Sequence, residues 1–250
     1  MRAFGKLSAL ALASSLALAG CGDEPTPAEV SDQEVTDLNR VNSDSEAAAK
    51  AKALPAGDLT EFTLGGHVSG DDKDEGTTRA MGNSAGHFAD LRSFVACPKA
   101  MDRCDPKTAP AGTVYTYVLV VYPGGDNRAD KGVPAGNTVS DIERGTAFRM
   151  TMPSHGFTGN AGYAKAEALA AIGPKADVVI TCDAGKLVWT VSAGDGGNQW
   201  EQKEPLTFYW QSTQPPAGTA EAYAFDADGT TAIGAGPYPA ASAEAHNACA

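Results

Sequence analysis

Residues 114–122 read Val-Tyr-Thr-Tyr-Val-Leu-Val-Val-Tyr. β-Branched and aromatic residues predominate in this run, as they do in extended strands. Because consecutive side chains of a strand point to opposite faces, a run that is apolar at successive positions must be covered on both faces. The segment therefore predicts a central strand of a sheet, buried on both sides.

Segments after this strand alternate apolar and polar residues with the period of half-buried strands. The predicted inward-facing sets are Phe148, Met150 and Met152; Val178, Ile180 and Cys182; Leu187, Trp189 and Val191; and Leu206, Phe208 and Trp210. Residues 62–68, 87–95 and 219–225 are further strand candidates. Glycine and proline interrupt nearly every gap, and residues 183–186 have the length of a hairpin turn.

A helical pattern is present at residues 161–172, which Gly173 and Pro174 would end. Many short strands, frequent turns and one short helix predict an all-β, sandwich-like antiparallel domain over residues 58–250. Two smaller β subdomains divided near residue 135 are the structural alternative. Residues 21–57 are rich in acidic residues, alanine and proline, and we expect them to form a disordered tether.

The first residues have the features of an export signal. Arg2 and Lys6 precede an uncharged apolar stretch, residues 7–18. As a helix this stretch would span about 18 Å, too little to cross a hydrocarbon core of about 30 Å. A short apolar segment behind basic residues is typical of a signal peptide rather than a permanent membrane span.

The apolar stretch ends in Leu18-Ala19-Gly20-Cys21, which resembles the lipobox of bacterial lipoprotein precursors. The resemblance implies that residues 1–20 are removed as a signal peptide and that Cys21 carries fatty acid, palmitate among them. It also implies that the chain is anchored in a membrane of the bacterial cell envelope, with its domain outside the cytoplasm. Gly22 follows the cysteine where some bacteria use aspartate for inner-membrane retention, which favours the outer membrane.

The charge balance limits the possible partners. The chain carries 19 basic and 31 acidic side chains, a formal net charge of −12. Removal of residues 1–20 leaves 17 basic side chains against the same 31 acidic ones, a net charge of −14. Such a surface repels phosphate backbones and anionic head groups, so we expect no nucleic acid partner and membrane contact through the lipid alone.

Four cysteines remain after Cys21. In an oxidising compartment an even number predicts disulfides, and two bonds among four cysteines allow three pairings. We predict Cys97–Cys104, which brackets a short loop, and Cys182–Cys249, which would tie the C-terminal segment to a strand.

Residues 82–86, Gly-Asn-Ser-Ala-Gly, match the G-x-S-x-G pattern of serine hydrolases. In those enzymes a buried strand feeds the turn that carries the serine. Here residues 71–79 are charged and polar, and the strand–helix alternation of the hydrolases is missing. A catalytic Ser84 is therefore an alternative to a chance match.

The four histidines, His67, His87, His155 and His246, show no spacing typical of a metal site.

Asp226-Ala227-Asp228-Gly229 resembles part of a calcium loop but lacks the third acid and distal glutamate of an EF-hand. As a hairpin turn, Asp228-Gly229 needs no ion. We expect neither calcium nor a cofactor.

Trp200 lies in a polar, glycine-rich loop beside Asn198 and Gln199. It is either a stacking platform for a sugar or another flat ligand, or a plug at the end of the sandwich.

Three functional hypotheses follow. The favoured one is a non-enzymatic lipoprotein, displayed on the envelope, that binds a partner protein or a glycan. The second is a surface-anchored serine hydrolase that uses Ser84. The third is a purely structural or assembly lipoprotein without a ligand site.

Substitution Cys21→Ser tests the lipid anchor. Because serine has no thiol to acylate, the variant should lose incorporation of a labelled palmitate analogue, whereas the control Gly22→Ala should keep it. Intact-mass analysis of the wild type should show an acylated chain that begins at Cys21. A mature wild-type chain with a free thiol at Cys21 and with residues 1–20 retained would contradict the resemblance.

Overall fold

The computed structural model describes residues 53–68, 76–124, 142–194, 197–202, 204–242 and 246–250. The predicted signal peptide, the lipidation site Cys21 and nearly all of the predicted tether lie outside the described residues. Among the described residues, no helix is both long and apolar enough to span a bilayer.

The described residues form twelve strands and one α-helix. The strands are β1 (Ala56–Asp58), β2 (Leu64–His67), β3 (Thr77–Asn83), β4 (Gly86–Pro98), β5 (Tyr115–Pro123), β6 (Gly145–Met150), β7 (Phe157–Tyr163), β8 (Asp177–Asp183), β9 (Lys186–Ser192), β10 (Leu206–Ser212), β11 (Pro216–Ala227) and β12 (Thr230–Pro239). The helix α1 is Lys165–Ile172, and a 3-10 turn, Leu59–Glu61, follows β1.

The strands form a single sheet in the order β1-β7-β10-β5-β4-β3-β12-β11-β6-β9-β8, and β2 pairs with β4. Every pairing is antiparallel except that of β1 with β7. The Leu54 amide, just before β1, donates to the carbonyl of Ile180 in β8 at 2.8 Å. This bond joins the two ends of the strand order. The structure confirms an all-β domain with one helix and shows a single, nearly closed sheet.

Aromatic rings fill the interior of the sheet. The Phe148 ring centroid lies 5.0 Å from that of Phe208 and 5.8 Å from those of Trp189 and Tyr223. All four residues are fully buried, and the Trp189 indole N–H donates to the Gly162 carbonyl. A buried ring contributes about 1.5–3 kcal/mol through burial alone, so this cluster dominates the core.

The central strand β5 is covered on both faces, as predicted. Tyr117, Leu119 and Val121 face the interior, while Val118 and Val120 are buried on the opposite face. On that outer face Tyr209 of β10 pairs with Val118, and the Phe62 ring lies edge-on to Tyr209 at 5.1 Å. The segment near the start of the domain therefore covers the sheet from outside.

The helix begins at Lys165 rather than near residue 161, so the first turn of the predicted helix is wrong. Residues up to Tyr163 belong to β7, which pairs with β10. A Cβ on Gly162 would lie 2.2 Å from the Gly57 carbonyl oxygen, so this glycine permits the close approach of β1. Sheet pairing on both edges of β7 outweighs the local helix preference of the alanines. The helix ends at Gly173 as predicted.

The boundaries of the domain also differ from the prediction. Leu54 and β1 belong to the sheet, so the folded part begins before residue 58. In the sheet order, β1 and the group β5-β4-β3 come from before residue 135 and are separated by β7 and β10 from after it, so described strands of both parts share one sheet. The alternative of two subdomains is therefore not observed. Strands β3 and β12 were missed, because β3 follows a charged run and β12 is built mainly of small residues.

Two hairpin turns have the same backbone geometry. Ala184 and Gly185, between β8 and β9, have φ values of 47° and 78°; Asp228 and Gly229, between β11 and β12, have φ values of 49° and 73°. Positive φ at both central residues defines the type I′ turn, whose twist matches that of paired strands. The predicted turn at residues 183–186 is confirmed.

Both predicted disulfides are present. Cys97–Cys104 closes a loop between residues seven positions apart, and Cys182–Cys249 joins residues 67 positions apart. The second bond fixes the C-terminal segment to β8.

Replacing Cys182 and Cys249 together by alanine should lower the free energy of unfolding by up to about 4 kcal/mol. The bond closes a long loop, and on the chain-entropy model a disulfide that closes such a loop stabilises more than one that closes a short loop, for which the model gives about 2.5 kcal/mol. Urea titration under oxidising conditions measures both double variants. A loss below about 1 kcal/mol for Cys182→Ala/Cys249→Ala would contradict the loop-length argument. The loss for Cys97→Ala/Cys104→Ala contains an added contribution, because both of these cysteines are buried.

Candidate functional site

The candidate site is a cleft at one end of the sheet, where β3 and β12 separate. These strands are neighbours in the sheet order, but among the described residues they pair only through Gly82 with Ile233 and Met81 with Gly234. Residues 77–80 of β3 continue to pair with β4, whereas β12 continues along β11 as far as Pro239. The divergence leaves a cavity of about 330 Å³ between the two strands.

The interior row of β3 becomes polar at this cleft. Thr77, Arg79 and Met81 share one face because side chains alternate along a strand. Met81 is fully buried in the core, whereas Arg79 is exposed and lines the cleft with Thr77. The cross-strand partner of Thr77 is Ser93, which also lines the cleft. The interior of the sheet is thus apolar at Met81 and polar beyond it.

Two buried tyrosines hold the opposite wall. The Tyr117 hydroxyl donates to the Gln214 carbonyl at 3.0 Å, and the Tyr223 hydroxyl donates to the Pro237 carbonyl at 2.8 Å. Burial raises the pKa of both hydroxyls, so both remain neutral donors. Because Pro237 lines the cleft and Gln214 lies just before β11, these bonds position the start of β11 and the end of β12.

An aromatic pair borders the cleft on the β4 side. The rings of His67 and Phe94 stack with centroids 4.3 Å apart and an interplanar angle of 22°. Both residues line the cavity and are only partly buried. The pair therefore adds partly exposed aromatic surface to the lining, on the face of β4 opposite to that of Ser93.

Arg79 supplies positive charge in an otherwise acidic chain. Among the described residues that line the cleft there is no aspartate or glutamate, and no described carboxylate forms an ion pair with Arg79. Arg149 provides the contrast, because its guanidinium donates to both carboxylate oxygens of Asp226, at 2.7 and 3.2 Å. Among the described residues, the guanidinium of Arg79 therefore has no carboxylate partner.

Ser84 lies at the tip of the hairpin between β3 and β4 and is exposed. The Asn83 side chain accepts a hydrogen bond from the Ala85 amide across this turn. The G-x-S-x-G segment therefore joins two antiparallel strands. It does not form the strand-to-helix turn that makes a serine nucleophilic in the hydrolases.

Asp226 and Asp228 have structural partners instead of an ion. Asp226 binds Arg149 and accepts from the Thr231 hydroxyl, while Asp228 accepts from the amides of Glu143 and Arg144. In the described part of the chain, no group of three or more potential ligand side chains is arranged to hold a metal ion. The Asp-x-Asp-Gly motif thus serves the hairpin and its neighbours.

Trp200 is buried, at 1% exposure, and packs edge-on against Phe225 and Phe208. Its indole N–H donates to the Glu204 carbonyl at 2.7 Å. The interpretation of Trp200 as a stacking platform is wrong, because neither face of its ring is open to a ligand. The ring is buried, as the alternative prediction of a plug requires. Asn198 and Gln199 are exposed on the same loop, without Trp200 beside them at the surface.

One buried pair escaped the sequence analysis. His87 Nε2 lies 3.0 Å from Asp90 Oδ1 and 2.6 Å from the Ala89 carbonyl oxygen, and both side chains are at most 2% exposed. A register shift between β3 and β4 bends the strand here. The i, i+3 spacing of His87 and Asp90 is the only sequence signal for this pair. In a regular strand this spacing would place the two side chains on opposite faces, and the register shift brings them together. Because both groups are enclosed, the pair acts in the fold and offers no surface to a substrate.

Substitution of Trp200 by alanine should lower the free energy of unfolding by about 3–5 kcal/mol, since it empties a large buried volume. Trp200→Phe, which keeps most of the ring but removes the indole N–H, should cost less. Thermal or urea unfolding checks both variants. Unchanged stability of Trp200→Ala would show that the ring is not part of the core.

Of the places described, the cleft between β3 and β12 combines a cavity, an exposed arginine and partly exposed aromatic side chains. Comparisons of the chain with protein-family models, with curated proteins and with solved structures found no match.

Proposed function

We propose that this chain is a lipid-anchored protein of the bacterial envelope whose domain binds a partner protein in the cleft and catalyses no reaction. The observation that carries the proposal is Arg79, a guanidinium without a described ionic partner in a cleft that lacks described acidic residues. The lipobox resemblance at Cys21 supports the membrane anchor, and the acidic surface supports a domain held away from anionic lipids.

The chemistry of the cleft favours a protein over a glycan. Its walls combine aliphatic and proline side chains, an arginine and the stacked pair of His67 and Phe94. Arginine and aromatic residues are enriched where proteins bind one another. Trp200, the residue predicted to stack on a glycan, is enclosed and lies outside the cleft.

The other two hypotheses have less support. The hydrolase hypothesis requires an activated Ser84, and this residue lies on a hairpin tip without the turn that such chemistry uses. A purely structural lipoprotein gives no reason for an arginine on the interior row of a sheet strand. Arg79 is exposed in the cleft, where its guanidinium can meet an anionic group of a partner.

Capture from detergent-solubilised envelopes tests the proposal. Full-length wild-type protein, Arg79→Gln and the control Arg144→Gln, which removes an exposed arginine elsewhere, would be used in parallel with quantitative mass spectrometry. We expect a protein whose recovery falls about tenfold with Arg79→Gln and is unchanged with Arg144→Gln, because a tenfold change corresponds to about 1.4 kcal/mol, a typical contribution of one charge-assisted contact.

Equal recovery of every protein by all three chains would contradict the proposal. A glycan array probed with the same three chains covers the alternative. Binding of a sugar that Arg79→Gln abolishes would replace the partner protein by a glycan at the same cleft.

A further inference from the structure

We propose that the partner enters the cleft as an extended peptide segment, which adds to the free edge of β3 and places one carboxylate against Arg79. The inference rests on the proposed function and specifies how the cleft would recognise a protein.

The direction of the backbone groups of β3 follows from two hydrogen bonds of β4. The Val95 carbonyl accepts from Val68 of the segment after β2, and the Phe88 carbonyl accepts from Gly124 just after β5. In an antiparallel strand the N–H and C=O of one residue point to the same side, and this side alternates along the chain. Since β4 pairs with β5 without a register shift over residues 89–96, Leu91 and Ser93 point towards β3.

The same alternation continues on β3. Leu91 is opposite Arg79, and Ser93 is opposite Thr77. The backbone groups of Arg79 and Thr77 therefore exchange hydrogen bonds with β4. The backbone groups of Thr78 therefore point away from β4, towards the cleft. Because the pairing of β3 with β12 ends at Met81, no described strand takes up this edge at Thr78.

An unpaired strand edge is a template for another chain. Peptides that add to a sheet edge gain affinity from main-chain hydrogen bonds and specificity from alternate side chains. A peptide opposite residues 77–80 would extend for about 13 Å at about 3.3 Å per residue. The cavity already separates β3 from β12 along this stretch, so the edge is open without rearrangement of a paired strand.

Charge complementarity specifies the side chain opposite Arg79. Residues directly opposite one another on paired strands share a face, with Cβ atoms about 4.5–5.5 Å apart, within reach of an ion pair. A glutamate or aspartate at that position would meet the guanidinium, which binds carboxylates in a two-point geometry. Pro216 and Pro237 on the far wall would contact apolar neighbours of this carboxylate.

A synthetic peptide array tests the inference. The probes are random octapeptides whose fifth residue is fixed as glutamate, alanine or lysine, applied to the wild-type full chain, Arg79→Gln and Arg144→Gln. We expect the tightest peptides to come from the glutamate set, to exceed their lysine counterparts at least tenfold, and to lose that preference with Arg79→Gln only. Selection without an acidic preference, or no octapeptide binding at all, would overturn the inference.

Backbone methylation distinguishes an added strand from a merely acidic ligand. N-methylation along the best octapeptide should abolish binding at alternate residues and spare those between them, because only every second amide faces β3. On the protein, Thr78→Pro removes an amide that β4 does not use and should weaken binding at least tenfold, whereas Thr78→Ala should not. The methylated peptides use wild-type protein, so the result stands even if Thr78→Pro unfolds.

The experiments distinguish failure of strand addition from failure of the proposed function. Uniform tolerance of N-methylation, together with Arg79-dependent capture of an envelope protein, would overturn strand addition and leave the proposed function intact. Loss of Arg79 dependence in both experiments would overturn both.

Discussion

Closure of the sheet around Phe148 is the constraint on which the rest of the structure depends. Its ring contacts Phe208 of β10 and Trp189 of β9, strands that lie near opposite ends of the sheet order. Burial of these rings favours a curved sheet over a flat one, because a flat sheet would hold Phe208 of β10 far from both Phe148 and Trp189, which pair on the neighbouring strands β6 and β9. The single hydrogen bond from Leu54 to Ile180 then completes an arrangement that the aromatic core already imposes.

The same reasoning explains why the sheet opens where it does. At Gly234 a Cβ would lie 2.6 Å from the Met81 side chain, so the glycine lets Met81 fill the interior while β3 and β12 pair. Two residues earlier the inward position of β3 is Arg79. Enclosing its guanidinium without a partner would cost several kcal/mol, so the strands separate and the charge stays in water. The cleft is therefore a consequence of one arginine on a row of apolar positions.

Prediction from sequence succeeded where burial on one or both faces sets the residue pattern. The runs around Tyr117, Trp189 and Phe208 are strands because their alternation matches a filled interior, and the disulfide pairs followed from spacing. Prediction failed where pairing with strands distant in sequence determines the secondary structure. The alanines before α1 joined β7, and the polar start of β3 resembled a loop. The site itself was missed because Arg79 and Ser93 line one cleft only through the register of β3 and β4, which no local pattern encodes.

The acidic surface restricts what the cleft can accept. A formal charge of −12 on the chain repels any strongly acidic partner over about 8–10 Å at moderate ionic strength. One guanidinium cannot offset that repulsion for a polyanion, whereas it can hold a single carboxylate on an otherwise apolar segment. Backbone pairing along β3 supplies affinity that does not depend on charge. The charge of Arg79 and backbone pairing along β3 together favour a mostly apolar, extended segment with one acidic residue. The negative charge of the chain repels acidic runs and nucleic acids.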